Sequence, residues 1–243
     1  MVLNGRLLAI ANAVPRSGRV ADIGTDHGYV PLYLIQKDFI ESAIAADISQ
    51  GSLKKAEMLV SEYNLEDCME TRLGSGLSVL TPGEVDTIII AGMGGLLIRD
   101  ILMGDETVAR SATTLILQPM VAQDLLRRWL VNNCYTIKDE ELVKEDQRIY
   151  EIIIASPGIQ EAYSDIYLDR YPSVYYDIGW KLIEKQHPLL EEFVLKKIQS
   201  LEEIVEHLNI NKTQSAMERM IEIKSKLKQY KEVYRWDIKS KTL

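Results

Sequence analysis

Two acids and two glycines are regularly spaced near the start of the chain, in the segment Asp22-x-Gly24-x-Asp26-x-Gly28. An apolar run precedes this segment and an amphipathic run follows it, so the pattern predicts a strand, a tight loop and a helix. Glycine lets the backbone come close to a ligand. A dinucleotide site would read G-x-G-x-x-G, and a second carboxylate would repel its pyrophosphate. The spacing therefore favours a ligand that carries an ammonium or sulfonium group, with an ordinary strand–helix turn as the alternative.

Acidic and small residues also end the other predicted strands. Asp47 lies about 20 residues beyond the glycine loop, where an acid can accept hydrogen bonds from both hydroxyls of a ribose. Gly74-Ser75-Gly76 ends the third strand, and its small residues leave room for a flat ring. Gly92-Met93-Gly94 and Gln118-Pro119 end the fourth and fifth strands. Because the carboxyl ends of parallel strands meet at one edge of a sheet, these segments predict a single ligand site.

The elements that must position these residues alternate as strands and helices five times, which is typical of a doubly wound sheet. Residues 135–143 and 148–155 are then two strand-like runs joined by a short polar turn, so they predict an antiparallel hairpin. This order matches S-adenosylmethionine-dependent methyltransferases better than the six parallel strands of a dehydrogenase. We therefore predict an α/β fold over residues 1–158, a Rossmann-like class I methyltransferase sheet with parallel strands and a terminal antiparallel hairpin.

Residues 159–243 are predicted to form a second domain, a C-terminal α-helical hairpin of the coiled-coil type. Apolar residues recur every three or four positions over 190–208 and again over 220–234, with a polar break at 209–213. The segment before these helices is rich in tyrosine, which suits either stacking on bases or packing beneath the helices. These tyrosines are Tyr163, Tyr167, Tyr171, Tyr175 and Tyr176.

The formal net charge of −8 at first argues against a nucleic-acid partner. The charge is unevenly distributed, however, because residues 211–243 hold nine Lys and Arg against four Asp and Glu. An acidic body with a basic C-terminal segment is typical of a nucleic-acid-binding arm, although a solvated, salt-bridged helix has the same composition. The residues predicted to contact RNA lie opposite the second apolar stripe and are Lys224, Lys228, Lys231 and Arg235.

The cellular setting is predicted from what the sequence lacks. No basic segment followed by an apolar one opens the chain, and no run approaches about 18 apolar residues, so we expect a cytoplasmic protein without membrane association. Cys68 and Cys134 lie far apart without a second metal-ligand spacing, which favours free thiols over a disulfide or a metal site. The sequence leaves the oligomeric state open, with a monomer as the favoured expectation.

Longer motifs connect these features to a known family. They are ADIGTDHGYVP at 21–31, IAGMGG at 90–95, LILQP at 115–119 and DIGWKLIEKQHPLLEEF at 177–193. With them the chain resembles the bacterial tRNA (adenine-22-N1)-methyltransferases over essentially its whole length, the streptococcal members closely. The resemblance implies S-adenosyl-L-methionine as cofactor, methylation of N1 of adenosine 22 in tRNA, and a Rossmann-like domain followed by a coiled-coil domain.

The chemistry of this reaction limits what the site residues must do. Methyl transfer is an in-line displacement, and N1 of adenine already carries a lone pair, so the main task is alignment. The product ring is cationic, so acids and carbonyls beside it would be stabilising, and the base must be unpaired or flipped out to reach the site. Asp26 and Gln118 are the candidate catalytic residues, and no residue identifies itself as a general base.

The remaining site residues are assigned by their place along the chain. His27 could contact substrate or be a loop histidine bonded to backbone, and Met93 could support a base or merely pack. The predicted cofactor-binding residues are Asp22, Gly24, Thr25, Asp26, His27 and Gly28 in the loop, Asp47 and Ile48 at the ribose, Gly74, Ser75 and Gly76 at the adenine, and Ala91, Gly92 and Met93 after the fourth strand. The predicted substrate-binding residues are Tyr29, Gly94 and Pro119, together with the four basic residues named above.

Three other functions compete with this interpretation. A nicotinamide-dependent oxidoreductase is disfavoured by the missing G-x-G-x-x-G and by the terminal hairpin. A non-catalytic RNA-binding protein would need no cofactor pocket, so the binding of S-adenosylmethionine distinguishes it. A methyltransferase for another RNA or for a small molecule is separated from the tRNA enzyme only by the basic hairpin and the family resemblance.

Overall fold

A computed structural model describes residues 1–158, 172–210 and 214–239. The chain divides into two compact units, residues 1–161 and residues 162–243. Tyr163, Tyr167, Tyr171, the expected boundary after residue 158 and most of the polar break at 209–213 lie outside the described residues.

The first unit is built on one seven-stranded sheet with the strand order β3-β2-β1-β4-β5-β7-β6. The first five strands are parallel, whereas β6 and β7 pair in antiparallel fashion and join the sheet through β5. The predicted Rossmann-like sheet with a terminal antiparallel hairpin is thus confirmed. The strands are β1 (Arg19–Ile23), β2 (Ser42–Asp47), β3 (Met69–Leu73), β4 (Thr87–Met93), β5 (Thr114–Pro119), β6 (Tyr135–Glu145) and β7 (Arg148–Pro157).

Helices cover both faces of this sheet. Val20, Ile89 and Ile116 share a buried cluster with residues of the first three helices, while their strand neighbours, such as Ile88 and Leu115, are equally buried on the opposite face. Burial on both faces is the reason that these strands read as continuous apolar runs. The helices are α1 (Gly5–Ala13), α2 (Tyr29–Gln36), α3 (Gln50–Glu62), α4 (Gly95–Gly104), α5 (Glu106–Ser111) and α6 (Gln123–Asn132).

One helix of this unit is not predicted by the sequence. The segment α5 follows α4 directly, and Asp105 caps it by accepting a hydrogen bond from the Val108 backbone N–H at 3.1 Å. Six residues are too few to show a helical period in the apolar pattern, so the cap is its main sequence signal.

The second unit consists of helices α7 (Pro172–Ile178), α8 (Trp180–Glu184), α9 (Leu190–Ile210) and α10 (Gln214–Val233), and a π-helical turn (Tyr234–Ile238). Helices α9 and α10 pack against each other. Asp177 joins three helices, because its carboxylate accepts hydrogen bonds from Lys197 Nζ and Lys226 Nζ, both at 2.8 Å, and from the Tyr230 hydroxyl. Burial alone would raise the pKa of Asp177, but the two lysines hold it well below its usual range.

The described residues include neither a candidate membrane span nor a candidate metal site. None of the helices described is both long and apolar enough to cross a bilayer. The same residues contain no group of three or more His, Cys, Asp or Glu side chains suited to hold a metal ion.

Candidate functional site

A cavity of about 480 Å³ lies at the carboxyl ends of β1 and β4. Its size falls within the range of small-molecule sites. The loop after β1, the start of α2, the end of β4 and one side of α1 form its walls. The predicted residues that line it are Asp22, Gly24, Thr25, Asp26, His27, Gly28, Tyr29, Ala91 and Gly92.

The loop after β1 is held in place by β2 and by the hydroxyl of its own Thr25. Gly24 and Thr25 donate their backbone N–H groups to the Ala46 carbonyl at 2.8 and 3.0 Å. Gly28 donates its N–H to Thr25 Oγ1 at 2.9 Å. Gly24 and Gly28 have φ values of 78° and 74°, which residues with a Cβ rarely adopt. The two glycines of the motif are therefore required by the turn itself.

Asp22 is the buried acid of this loop, with only 8% of its surface exposed. Burial raises the pKa of its carboxyl to about 6, and the nearby charge of Asp47 acts in the same direction, while a hydrogen bond with the Thr25 side chain opposes the shift. A carboxylate in this position costs free energy until a positively charged group comes beside it. The cavity therefore has a built-in preference for a cationic ligand group.

Asp26, four residues further on, has the opposite environment. Its side chain is 65% exposed and pairs with Lys55 Nζ at 2.8 Å and with His27 Nδ1 at 2.9 Å. The hydrogen bond from Lys55 lowers the pKa of Asp26, so this carboxylate is a weak proton acceptor. The His27 ring stacks on Tyr29 with 4.8 Å between the centroids, so His27 has partners within its own loop.

A bulge at the end of β4 shapes the opposite wall. The register between β4 and β5 shifts between Ala91 and Met93, and Gly92 takes up the shift with a φ of 77°. The Gly92 N–H donates to Gln118 Oε1 at 3.1 Å. Met93 reaches back over the first loop, since a Cβ on Gly24 would lie 1.9 Å from its terminal methyl. This contact supports packing as one role of Met93.

Gln118 is fully buried, and both ends of its amide are engaged. Its Oε1 accepts hydrogen bonds from Arg6 Nη1 at 2.6 Å and from Gly92, while its Nε2 donates to the Pro119 carbonyl at 3.1 Å. The side chain thereby joins α1, the β4 bulge and the end of β5. Its geometry is that of a residue that fixes neighbouring groups in position.

The glycines after β4 differ in what constrains them. Gly94 has an ordinary φ of −68°, and a Cβ there would lie 3.4 Å from Val121 Cγ2. A Cβ on Gly95 would lie 2.4 Å from the Ala122 carbonyl oxygen. Gly95 is thus needed for the close approach of α4 to the loop before α6, a packing role that the sequence does not distinguish from ligand binding.

The predicted ribose and adenine residues lie at the adjacent ends of β2 and β3, outside the lining of the cavity. Asp47 Oδ1 accepts a hydrogen bond from the Ser49 N–H at 2.6 Å, and Ile48 is exposed. A Cβ on Gly74 would lie 2.4 Å from Val79 Cγ1, so the space above this glycine holds the Val79 side chain. The assignments of Asp47, Ile48 and Gly74-Ser75-Gly76 stay predictions.

Arg6 is the charged cavity residue that the sequence analysis missed, beside the apolar Leu7, Ile10, Val30 and Ile89. Its guanidinium lies 5.5 Å from the centre of the Tyr150 ring and bonds to Gln118, so α1 contributes a cation to the wall. The available signal was weak: Arg6 is the single charged residue of α1. Its role depends on the packing of α1 beside β5, which local sequence does not encode.

The predicted RNA-contacting residues lie in the second unit and line one shallow groove along α10 and the turn after it. Lys224, Lys228 and Arg235 are exposed, and within the described ranges they form no ion pair. Lys231 is paired with Glu202 at 2.5 Å, which partly neutralises it. We call these four residues the basic face.

Comparison with known proteins adds an independent line of evidence. The model of a family described as "Methyltransferase domain" matches residues 3–153. The tRNA (adenine(22)-N(1))-methyltransferase of Bacillus subtilis (strain 168) is 37% identical over 163 residues, which cover 67% of this chain and 68% of that protein.

Two solved structures resemble the chain over nearly its full length. The B. subtilis M1A22 tRNA methyltransferase TrmK is 31% identical with a TM-score of 0.84, covering 96% of this chain and 98% of that one. A Streptococcus pneumoniae structure described as a candidate tRNA (m1A22) methyltransferase, in complex with S-adenosyl-L-methionine, is 28% identical with a TM-score of 0.77. It covers 93% of this chain and 100% of that one. The cavity with its buried acid and these similarities therefore point to the same function.

Proposed function

The chain belongs to the methyltransferase domain family and, within it, to the tRNA (adenine(22)-N(1))-methyltransferases, and we propose that it transfers a methyl group from S-adenosyl-L-methionine to N1 of adenosine 22 in tRNA. The single observation that carries the proposal from family to site is Asp22. It is a buried carboxylate with a pKa raised to about 6, facing a cavity of about 480 Å³.

The donor set of the cavity fits the methionine end of this cofactor. Asp22 supplies a buried negative charge for the ammonium group, and binding that group would relieve the cost of burial. Arg6 supplies a positive charge for the carboxylate, since the hydrogen bond to Gln118 occupies one of its five donors. Gly24 and Gly28 let the backbone of the loop after β1 approach the ligand closely.

The residues at the neighbouring strand ends complete this proposal for the cofactor. Asp47 lies next to Asp22 closely enough to raise its pKa, so the edges of β1 and β2 face one space. We assign Asp47 and Ile48 to the ribose and Gly74-Ser75-Gly76 to the adenine. Because the Val79 side chain lies over Gly74, the adenine would pack beside Val79.

S-adenosyl-L-methionine supplies a methyl group on a positively charged sulfur, and the protein has to align the adenine with it. N1 of adenine carries its own lone pair, so no residue needs to remove a proton before the transfer. Gln118 fixes the acceptor wall by joining Arg6, Gly92 and Pro119. We assign Tyr29, which lines the cavity, and Gly94 to the side from which the base would enter, and Asp26 adds negative charge at the rim. Negative charge near the adenine stabilises the cationic product ring.

The tRNA is assigned to the second unit, with residues 1–158 as the catalytic domain and 159–243 as the helical domain. The basic face presents cations along one side of α10, whereas the chain as a whole is acidic. Phosphate contacts supply most of the sequence-independent affinity for nucleic acid. A single chain acting on tRNA in the cytoplasm is sufficient for this scheme.

Mass spectrometry of nucleosides tests the proposal. Unmodified tRNA incubated with the protein and S-adenosyl-L-methionine should gain one N1-methyladenosine. A tRNA with guanosine at position 22 should gain none. Methylation of both RNAs would point to a different target nucleotide, and binding of tRNA without any affinity for S-adenosyl-L-methionine would identify a non-catalytic RNA-binding protein.

A further inference from the structure

A second cavity of about 420 Å³ opens in the first unit, where β5 ends and β7 begins. Its wall includes two exposed apolar side chains, Met120 at 37% and Val121 at 63% exposure, together with the half-buried ring of Tyr150. Arg148 stands at its edge, exposed, and forms no ion pair within the described ranges. The cofactor assignment above leaves all four residues without a task.

This second cavity shares a wall with the first. Arg6 lines the first cavity, and its guanidinium lies 5.5 Å from the centre of the Tyr150 ring that lines the second. Gln118, bonded to Arg6, also donates to the Pro119 carbonyl and to Met120 Sδ at 3.1 and 3.5 Å. The Arg6–Gln118 pair therefore links the linings of two neighbouring cavities, so a ligand in the second would lie beside the site of the reaction.

The chemistry of the second cavity suits a nucleobase. Unpaired bases stack on aromatic and apolar side chains, and arginine holds the adjoining phosphate. Met120, Val121 and the Tyr150 ring lie together in one concave site, which offers a base an apolar surface on which to stack. A free anion would find a single cation here, and a lipid chain or an apolar peptide would gain nothing from Arg148.

We propose that this cavity binds the base of a nucleotide next to the target adenosine, stacked on Tyr150 and Met120, with its phosphate on Arg148. This proposal rests on the proposed function, since it makes the same RNA strand pass both cavities. When the target base leaves the helical stack, the base next to it loses the surface on which it was stacked. A stacking site beside the reaction centre would compensate for that loss. Tyr150 is then a substrate-binding residue that aligns the strand.

A double-mutant cycle, which combines substitutions in the protein with changes in the RNA, tests the contact directly. The parent, Tyr150→Ala, Tyr150→Phe and Arg148→Glu are compared in tRNA binding and single-turnover methylation. The RNAs are intact tRNA and two tRNAs that carry an abasic nucleotide, one on each side of the target. Tyr63→Ala is the matched control, because Tyr63 is a partly exposed tyrosine at the end of α3, outside both cavities.

We expect Tyr150→Ala to weaken binding of intact tRNA by roughly 5- to 140-fold, the range for loss of one stacked base. One of the abasic tRNAs should bind the parent equally weakly, and Tyr150→Ala should lose little more with that RNA. Tyr150→Phe should behave like the parent because the ring is kept. Arg148→Glu should weaken binding of all three RNAs, and Tyr63→Ala should change nothing.

Several results would overturn the proposal. Equal loss by Tyr150→Ala with intact and both abasic tRNAs would mean that the ring supports the fold or Arg6 and contacts no base. If the parent binds both abasic tRNAs as tightly as intact tRNA, the proposed base site is excluded. If the parent binds tRNA with the expected coupling but does not methylate it, the proposed function fails while the base site stands. If the parent methylates tRNA but the protein and RNA changes show no coupling, the base site fails while the proposed function stands.

Discussion

The cavity at β1 and β4 and the basic face of α10 use charge in opposite ways. Asp22 is a single buried carboxylate whose ionised form is disfavoured by its surroundings. Lys224, Lys228 and Arg235 are exposed cations that water already solvates. A buried charge selects one complementary group at a fixed position, while a row of exposed charges attracts any polyanion and loses strength in salt. The two regions are therefore suited to a small, specific ligand and to a nucleic-acid backbone, respectively.

The largest effect is expected on the basic face. Lys224→Glu, Lys228→Glu and Arg235→Glu combined should weaken tRNA binding by roughly 100-fold or more at low salt and reduce the log–log salt slope by about 2 to 3, since each phosphate contact contributes roughly 0.7–0.9. Filter binding over a series of salt concentrations measures both quantities. Lys231 is left unchanged because Glu202 already pairs with it.

A charge-matched control guards against an effect of net charge alone. Lys37→Glu, Lys54→Glu and Lys138→Glu change the net charge by the same amount, at exposed positions in the first unit. This control should keep most of the affinity and the parental slope. If both triple variants lose the same affinity, the basic face has no special role and the tRNA contacts lie elsewhere.

Replacing the buried acid should have the next largest effect. Asp22→Asn should weaken binding of S-adenosyl-L-methionine by roughly 10- to 100-fold, because it removes a charged hydrogen-bond acceptor. The same change should raise the free energy of unfolding of the ligand-free protein by about 1–3 kcal/mol at pH 8, since a pKa raised from 3.8 to about 6 disfavours the folded state above that pH. Calorimetry and urea unfolding measure the two effects, and a variant that is both less stable and unchanged in affinity would contradict the assignment.

A pH series tests the same carboxylate without a mutation. The folded pKa of Asp22 is raised, so the carboxylate is protonated as the pH falls below about 6 and its charge is lost. Affinity for S-adenosyl-L-methionine should therefore fall about fivefold between pH 6 and pH 5 and change little between pH 6.5 and pH 7. Asp22→Asn should abolish this dependence, and a variant that keeps the parental pH profile would assign the titration to another group.

The smallest effect is expected at the rim. Lys55→Ala removes the hydrogen bond that lowers the pKa of Asp26, so that pKa should move back towards its usual value of 3.8. Because Asp26 stays ionised at neutral pH either way, S-adenosyl-L-methionine affinity should change by less than about threefold. Calorimetry at pH 7 measures this affinity. A loss of affinity as large as that of Asp22→Asn would mean that the Asp26–Lys55 pair matters as much for cofactor binding as the buried Asp22.

The sequence predicts the parallel strands of the sheet well because the inner ones are continuous apolar runs, which end near an acid or a glycine in β1, β2 and β4 and at Gln118-Pro119 in β5. It fails where the evidence is not local. Arg6 reaches the cavity only because α1 packs beside β5, and nothing within α1 indicates that neighbour. The motif gives Asp22 and Asp26 the same weight, yet one is buried and the other pairs with Lys55, which is 29 residues away. Gly95 has the same appearance in the sequence as Gly94, and only the approach of the Ala122 carbonyl separates their roles.

The separation of tasks between the two regions is tested most directly by titrating both ligands into the same two variants. S-adenosyl-L-methionine and unmodified tRNA are each titrated into Asp22→Asn and into the Lys224, Lys228 and Arg235 triple variant. We predict that Asp22→Asn loses affinity for S-adenosyl-L-methionine alone and that the triple variant loses affinity for tRNA alone. Loss of tRNA binding in Asp22→Asn, or of S-adenosyl-L-methionine binding in a folded triple variant, would contradict the account.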